Sequence, residues 1–151
     1  MDFEHLYKTA SDEDGALLLR QYLADGGDPD QIESVSKKTM LFNACEQMNT
    51  EWVTILGAAG ANPNFQSDVD GWTPMHLAVD IDIDSVWQAT HSDDPSLLTF
   101  TMVRAMLDIG GSLDIPDHKG RTPRQLAADY GRTDRLEEVL AAWRAVADFQ
   151  S

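Results

Sequence analysis

The sequence predicts an all-α protein, a solenoid of helix-turn-helix units stacked side by side with loops projecting along one edge. Three observations carry this expectation. A phrase centred on threonine recurs along the chain. A second phrase, centred on glycine, recurs in step with it. No strand pattern of convincing length competes with the helical spacing of the apolar residues.

The first phrase is fullest at Asp68-Val69-Asp70-Gly71-Trp72-Thr73-Pro74-Met75-His76-Leu77-Ala78. It returns as Asp117-His118-Lys119-Gly120-Arg121-Thr122-Pro123-Arg124-Gln125-Leu126-Ala127, and more faintly as Lys38-Thr39-Met40-Leu41-Phe42-Asn43-Ala44. The anchor threonines stand at 39, 73 and 122, so they are 34 and 49 residues apart. The second phrase reads Tyr22-Leu23-Ala24-Asp25-Gly26-Gly27-Asp28-Pro29-Asp30, then Ile55-Leu56-Gly57-Ala58-Ala59-Gly60-Ala61-Asn62-Pro63-Asn64, then Met106-Leu107-Asp108-Ile109-Gly110-Gly111-Ser112-Leu113-Asp114. Its glycines at 26, 60 and 110 are 34 and 50 residues apart. Both anchors agree on a period of about 33 residues, and both place an insertion of about 16 residues in the third unit.

The Thr-Pro-Met-His-Leu-Ala run and the Gly-Ala-Asn-Pro-Asn ending resemble the ankyrin repeat family. The resemblance covers roughly residues 15 to 143. It is fullest in units three and four and thinnest in unit one, which lacks the Thr-Pro phrase, as expected of a terminal unit that faces water on one side. It implies an ankyrin-repeat solenoid forming a single domain over 1–151. The units fall at about 1–33, 34–67, 68–116 and 117–151, with the insertion at about 81–96.

Each element has a local reason. In unit one, Gly26 suits the left-handed residue that ends a helix. Unit two offers a short helix after Thr39 and a second over Thr50 to Leu56, closed by Gly60. In unit three, Thr73 is a candidate N-cap with Pro74 at the first helical position, and Met75, Leu77, Ala78 and Val79 follow on a packing face. Its second helix is expected to begin near Pro95, behind Ser92, Asp93 or Asp94 as caps, and to run through Leu97, Leu98, Met102, Val103 and Met106 to Gly110. The insertion would then lengthen both helices and the loop between them. Unit four repeats the pattern with Thr122 and Pro123, and a second helix over residues 132–140.

Composition bounds the function. The 151 residues carry 11 Lys+Arg against 26 Asp+Glu, a net charge of −15, and the pI is about 4.3. Phosphate would be repelled unless a basic stripe intervened, and the densest basic stretch, Lys119 to Arg135, is interrupted by Asp129 and Asp134. The sequence therefore argues against a nucleic-acid partner and favours a basic protein surface. With 42% hydrophobic residues the chain can bury a core. The one cysteine, Cys45, leaves no internal disulfide and no Cys-rich zinc site, and its neighbours Phe42, Ala44 and Met48 suggest a buried thiol. MDFEHLYK lacks a signal-peptide pattern and no apolar run approaches a membrane span, so a soluble cytoplasmic protein is expected.

Catalytic patterns are missing from the sequence. The Asp80-Ile81-Asp82-Ile83-Asp84 run fails as an EF-hand loop, because Ser85 and His91 stand where glycine and a bidentate glutamate are needed. If the run is helical, Asp80 and Asp84 share a face and repel, which solvent or a basic partner would relieve. The resemblance gives His76 a structural hydrogen-bonding role between units. Phe42 and Gln125 stand at the equivalent positions, against a shared catalytic one. No nucleophile elbow, P-loop or zinc signature is present. The reading is a non-enzyme without cofactor or metal. The alternatives are a metal or enzymatic site in the Asp-rich insertion, or a structural scaffold.

Recognition remains. Ankyrin arrays bind proteins through loop tips and inner helices, so the resemblance assigns partner contact position by position. The tips are Ser36 and Lys38, Asp70 and Trp72, and Lys119 and Arg121. The exposed ends of the inner helices are Glu46 and Gln47, Asp80 and Ile81, and Asp129 and Tyr130. Asp82, Asp84, Trp87, Asp93 and Asp94 extend this acidic surface into the insertion. Trp72 at a tip reads either as an interaction hot spot or as a side chain packed on the inserted loop, and Trp87 carries the same two readings. Trp52 and Trp143 follow second-helix spacing and belong to the core or its edge. The expected function is non-catalytic binding of a basic protein, sharpened by analogy to an immunity protein that neutralises a bacterial toxin, with the chain monomeric until its partner docks.

Overall fold

The structure, a computed structural model, describes residues 2–150. Those residues form eight α-helices and one 3-10 turn, with no strand among them. The helices are α1 (Phe3–Tyr7), α2 (Gly15–Ala24), α3 (Met40–Glu46), α4 (Thr50–Ala58), α5 (Pro74–Thr90), α6 (Thr101–Asp108), α7 (Pro123–Asp129) and α8 (Thr133–Gln150). The 3-10 turn, Pro95–Leu97, lies between α5 and α6. Consecutive helices pack as pairs: α1 with α2, α3 with α4, α5 with α6, and α7 with α8. Across the pairs, α3, α5 and α7 form one row, and α2, α4 and α6 a second.

The core is one continuous apolar cluster between the rows. It runs from Leu6 and Leu19 through Met40, Trp52 and Leu56 to Met75, Val79, Met102 and Met106, and on to Leu126 and Leu136. Trp52 is fully buried in it. Cys45 is buried too, and burial pushes its thiol well above the ordinary range, so it stays protonated. No helix among the described residues is long and apolar enough to cross a membrane.

Local chemistry sets the starts of α5 and α7. Thr73 Oγ1 accepts from His76 N, and Thr73 N donates to His76 Nδ1 at 3.0 Å. Thr122 Oγ1 accepts from Gln125 N at 3.1 Å, and Thr122 N donates to Gln125 Oε1 at 2.9 Å. Both are reciprocal capping boxes with proline next in sequence. Unit two cannot repeat this, because Phe42 stands where His76 and Gln125 supply an acceptor, and Thr39 Oγ1 is buried without a partner among the described residues. Gly26, Gly60 and Gly110 follow the ends of α2, α4 and α6 with φ of +90°, +85° and +97°, the left-handed geometry that closes a helix.

The loops ahead of α3, α5 and α7 are related. The amide of Glu33 donates to Lys38 O, that of Ser67 to Trp72 O, and that of Asp117 to Arg121 O, at 2.9, 2.8 and 2.8 Å. Each loop turns through a left-handed residue, at Lys37 (φ 59°), Gly71 (φ 74°) and Gly120 (φ 81°). At Gly71 a Cβ would lie 2.7 Å from the amide nitrogen of His118, so neighbouring loops approach too closely there for a side chain.

The third unit departs from expectation. The insertion lengthens α5 alone, to 17 residues, while α6 keeps 8. The second helix does not start near Pro95: Asp94 caps only the 3-10 turn, the chain straightens, and α6 begins at Thr101. The reason lies at Phe100, which is fully buried in a left-handed conformation (φ 50°) just ahead of α6. Anchoring that ring in the core breaks any continuous helix from Pro95.

Candidate binding groove

Nothing between Pro74 and Thr90 breaks a helix, so α5 runs for 17 residues where its row neighbours α3 and α7 have 7 each, an overshoot of nearly three turns. His91 ends it in the left-handed conformation, its amide donating to Trp87 O at 2.8 Å. The chain then returns through Ser92, Asp93 and Asp94. Asp94 Oδ1 accepts from both the amide and the hydroxyl of Ser96, at 3.0 and 2.9 Å, and these bonds hold its carboxyl below the usual range. Two arginines of unit four tie down the returning segment. Arg132 donates to Asp93 O at 3.3 Å and faces its carboxylate at 3.8 Å, and Arg135 donates to Leu98 O at 2.8 Å.

Between the overshooting end of α5, this loop and the α7–α8 turn lies an open groove of about 270 Å³. Its lining includes Ile83, Val86, Trp87 and Leu98 on the apolar side, Asp84, Asp93 and Asp94 as carboxylates, and Tyr130 and Arg132 from unit four. Trp87 is 45% exposed and Tyr130 49%. The Trp87 and His91 rings meet edge to face at 5.7 Å. Tyr130 Oη donates to Asp80 Oδ1 at 2.8 Å, a bond that raises the phenol's pKa and fixes the ring beside α5. Three carboxylates against one guanidinium make the groove anionic.

The structure thus gathers Asp84, Trp87, Asp93, Asp94 and Tyr130 into one place, with Asp80 holding Tyr130. Other residues assigned to partner contact lie elsewhere. Glu46 is exposed at the end of α3 and Gln47 follows it, away from the groove lining. Asp129 is exposed and pairs with Arg121 at 3.4 Å. Asp70 turns inward to accept from Trp72 N at 2.9 Å, while its carbonyl accepts from His118 N, also at 2.9 Å. Lys119 is exposed on its loop, with its amide bonded to Asp117 Oδ1 at 2.8 Å.

Two expectations are corrected. Asp82 does not belong to an exposed acidic surface. It is only 2% exposed, and its two carboxylate oxygens accept from Met102 N at 3.1 Å and Val103 N at 3.0 Å. These are amides of the first turn of α6, which the Phe100 side chain cannot cap, so a side chain of α5 caps α6 from outside. Burial pushes the Asp82 carboxyl up to about 6 despite both bonds.

Trp72 is neither a free tip nor packed on the inserted loop. Its indole stacks on His76 at 5.6 Å, and Nε1 donates to Asp117 Oδ2 at 3.2 Å, so it docks on unit four. Beside it Arg121 keeps a part-exposed side chain, shared between Asp117 at 3.9 Å and Asp129, while its carbonyl accepts from His76 Nε2 at 2.9 Å. The His76 ring therefore bridges units three and four as a neutral imidazole, and burial lowers its pKa.

Sequence reasoning passed over Asp117 and Arg132. Burial works against the Asp117 carboxylate, but bonds from the amides of Arg121 and Lys119 outweigh it and leave the carboxyl below its usual range. Its place directly after Pro116 and ahead of the Lys119-Gly120 turn, matching Asp68 and Asp70 ahead of Gly71 only loosely, is the one sequence signal that could have marked it. Arg132 carried no such signal, because its role arises only where the α7–α8 turn meets the insertion. Among the described residues no three His, Cys, Asp or Glu side chains come together to hold a metal ion. Compared with known proteins, the chain matches no protein-family model and no curated sequence.

Proposed function

We propose that the chain is an ankyrin-type, non-catalytic interaction protein that binds a basic protein partner through its acidic face. In its sharpest form this is an immunity protein that neutralises a toxin or effector domain in the cytoplasm, and it is monomeric until the partner docks. The two rows of packed helices and the capping boxes at Thr73 and Thr122 support the ankyrin reading. The observation that carries the function is the groove, where exposed Trp87 and Tyr130 stand among Asp84, Asp93 and Asp94 on a chain of net charge −15. Exposed aromatics beside unbalanced charge are what a desolvated, electrostatically steered interface uses.

The experiment is association with a purified basic protein encoded beside this gene. The on-rate is expected to fall steeply as salt rises. An on-rate indifferent to salt would remove the electrostatic reading, and absence of binding to any such partner would remove the function.

A further inference from the structure

We infer that the groove between α5, the inserted loop and the α7–α8 turn is a pocket for an arginine side chain of the partner protein. The inference rests on the proposed binding of a basic protein and names the chemistry of contact.

The occupant follows from what the groove offers. Its floor is apolar, from Val86 and Leu98, with Trp87 and Tyr130 half exposed beside it. Such a floor alone would suit an aliphatic side chain. Its rim, however, is anionic, and only one of the three carboxylates is already matched. Asp93 faces Arg132, Asp94 is turned to Ser96, and Asp84 is exposed with neither a hydrogen bond nor an ion pair among the described residues. An aliphatic occupant would leave Asp84 beside a dry contact with no counter-charge, which is costly. A lysine would supply charge, but its ammonium is compact and strongly hydrated. A guanidinium stacks on aromatic faces, sheds water more readily and forks to carboxylates. Arg132 provides an internal precedent, since its guanidinium already lies against this loop, bonded to the Asp93 carbonyl.

The test uses the full chain and a blocked oligo-arginine peptide as probe, with oligo-lysine of equal length beside it, followed by amide and indole resonances in solution. Oligo-arginine is expected to shift the Trp87 indole and the amides around Asp84 and Tyr130, and to bind more tightly than oligo-lysine. Trp87→Ala is expected to weaken oligo-arginine about three- to tenfold. Asp84→Asn, at an exposed position that does not support the fold, is expected to weaken it about two- to fivefold. Asp25→Asn, the same charge change at the far end of the molecule, should leave it unchanged.

Salt-dependent binding that ignores both groove variants, or responds equally to Asp25→Asn, would overturn the pocket while leaving the acidic-face reading intact. Equal affinity for the two peptides would overturn the choice of arginine. No binding of either peptide at low salt would overturn the pocket and count against the acidic-face reading as well.

Discussion

Helices α7 and α6 are neighbours in sequence and of similar length, yet they begin in opposite ways. α7 carries its own start: Thr122 and Gln125 satisfy each other's amides within four residues. α6 begins at a buried, left-handed Phe100 whose side chain offers no acceptor, and the amides of Met102 and Val103 in its first turn are met by Asp82, some twenty residues upstream on another helix. A self-capped helix can form wherever its unit goes. A helix capped from its neighbour forms only once the two are packed, so α5 and α6 are locked to each other more firmly than their apolar contacts alone require.

The largest effect should come from cutting that lock. Asp82→Ala leaves two buried amides without acceptors and is expected to destabilise the protein by about 2–4 kcal/mol, read by denaturant unfolding. A loss well below 1 kcal/mol would mean that water replaces the carboxylate, and that the contrast between the helices is one of sequence distance only.

The pH dependence sharpens the same point. The Asp82 carboxyl titrates near 6 when folded and near its ordinary value, about 4, when unfolded. Between those values the folded state holds a proton that the unfolded state has released. The stabilisation from that proton is complete below about pH 4 and lost as pH rises through about 6, with an amplitude of about 2–3 kcal/mol. Asp82→Asn should flatten this part of the stability profile, and an unchanged profile would place the titration elsewhere.

The local cap is expected to weigh less. Thr122→Ala should cost about 1 kcal/mol, because water can reach much of that helix start. A cost equal to that of Asp82→Ala would erase the difference between the two kinds of start. The smallest effect concerns the loops. Lys37 takes the left-handed turn that Gly71 and Gly120 take in the next two units. Lys37→Gly is expected to raise stability by less than about 1 kcal/mol, the relief of left-handed strain being partly offset by the flexibility glycine adds to the unfolded chain. A lower melting temperature would show that the lysine contributes something the backbone does not record.

What could be read in advance follows the same division. Thr73, Thr122 and the glycines at 26, 60 and 110 were legible because their partners lie within a few residues. Asp82 was legible as an acidic residue on a helix but not as a cap, since the helical repeat that places it on α5 says nothing about the start of α6. Trp72 was ambiguous because its acceptor, Asp117, lies 45 residues away across an insertion that hides the register between units three and four. Most acidic and aromatic residues of the groove were named singly. Their meeting depends on how far α5 overshoots and where the α7–α8 turn falls, and on Arg132 reaching across.

One consequence of the neutral imidazole at the junction of units three and four remains. His76 and Asp82 belong to the same helix, and acid acts on them in opposite senses. Lowering the pH through the unfolded histidine value, about 6.5, works against a ring that must accept from Thr73 N and donate its one N–H to the Arg121 carbonyl, so stability drains away there. Over much of that range the aspartate regains what the histidine forfeits. Acidification thus pulls on α5 in two directions, and a chain bearing His76→Gln should lose less stability than the parent as the medium sours.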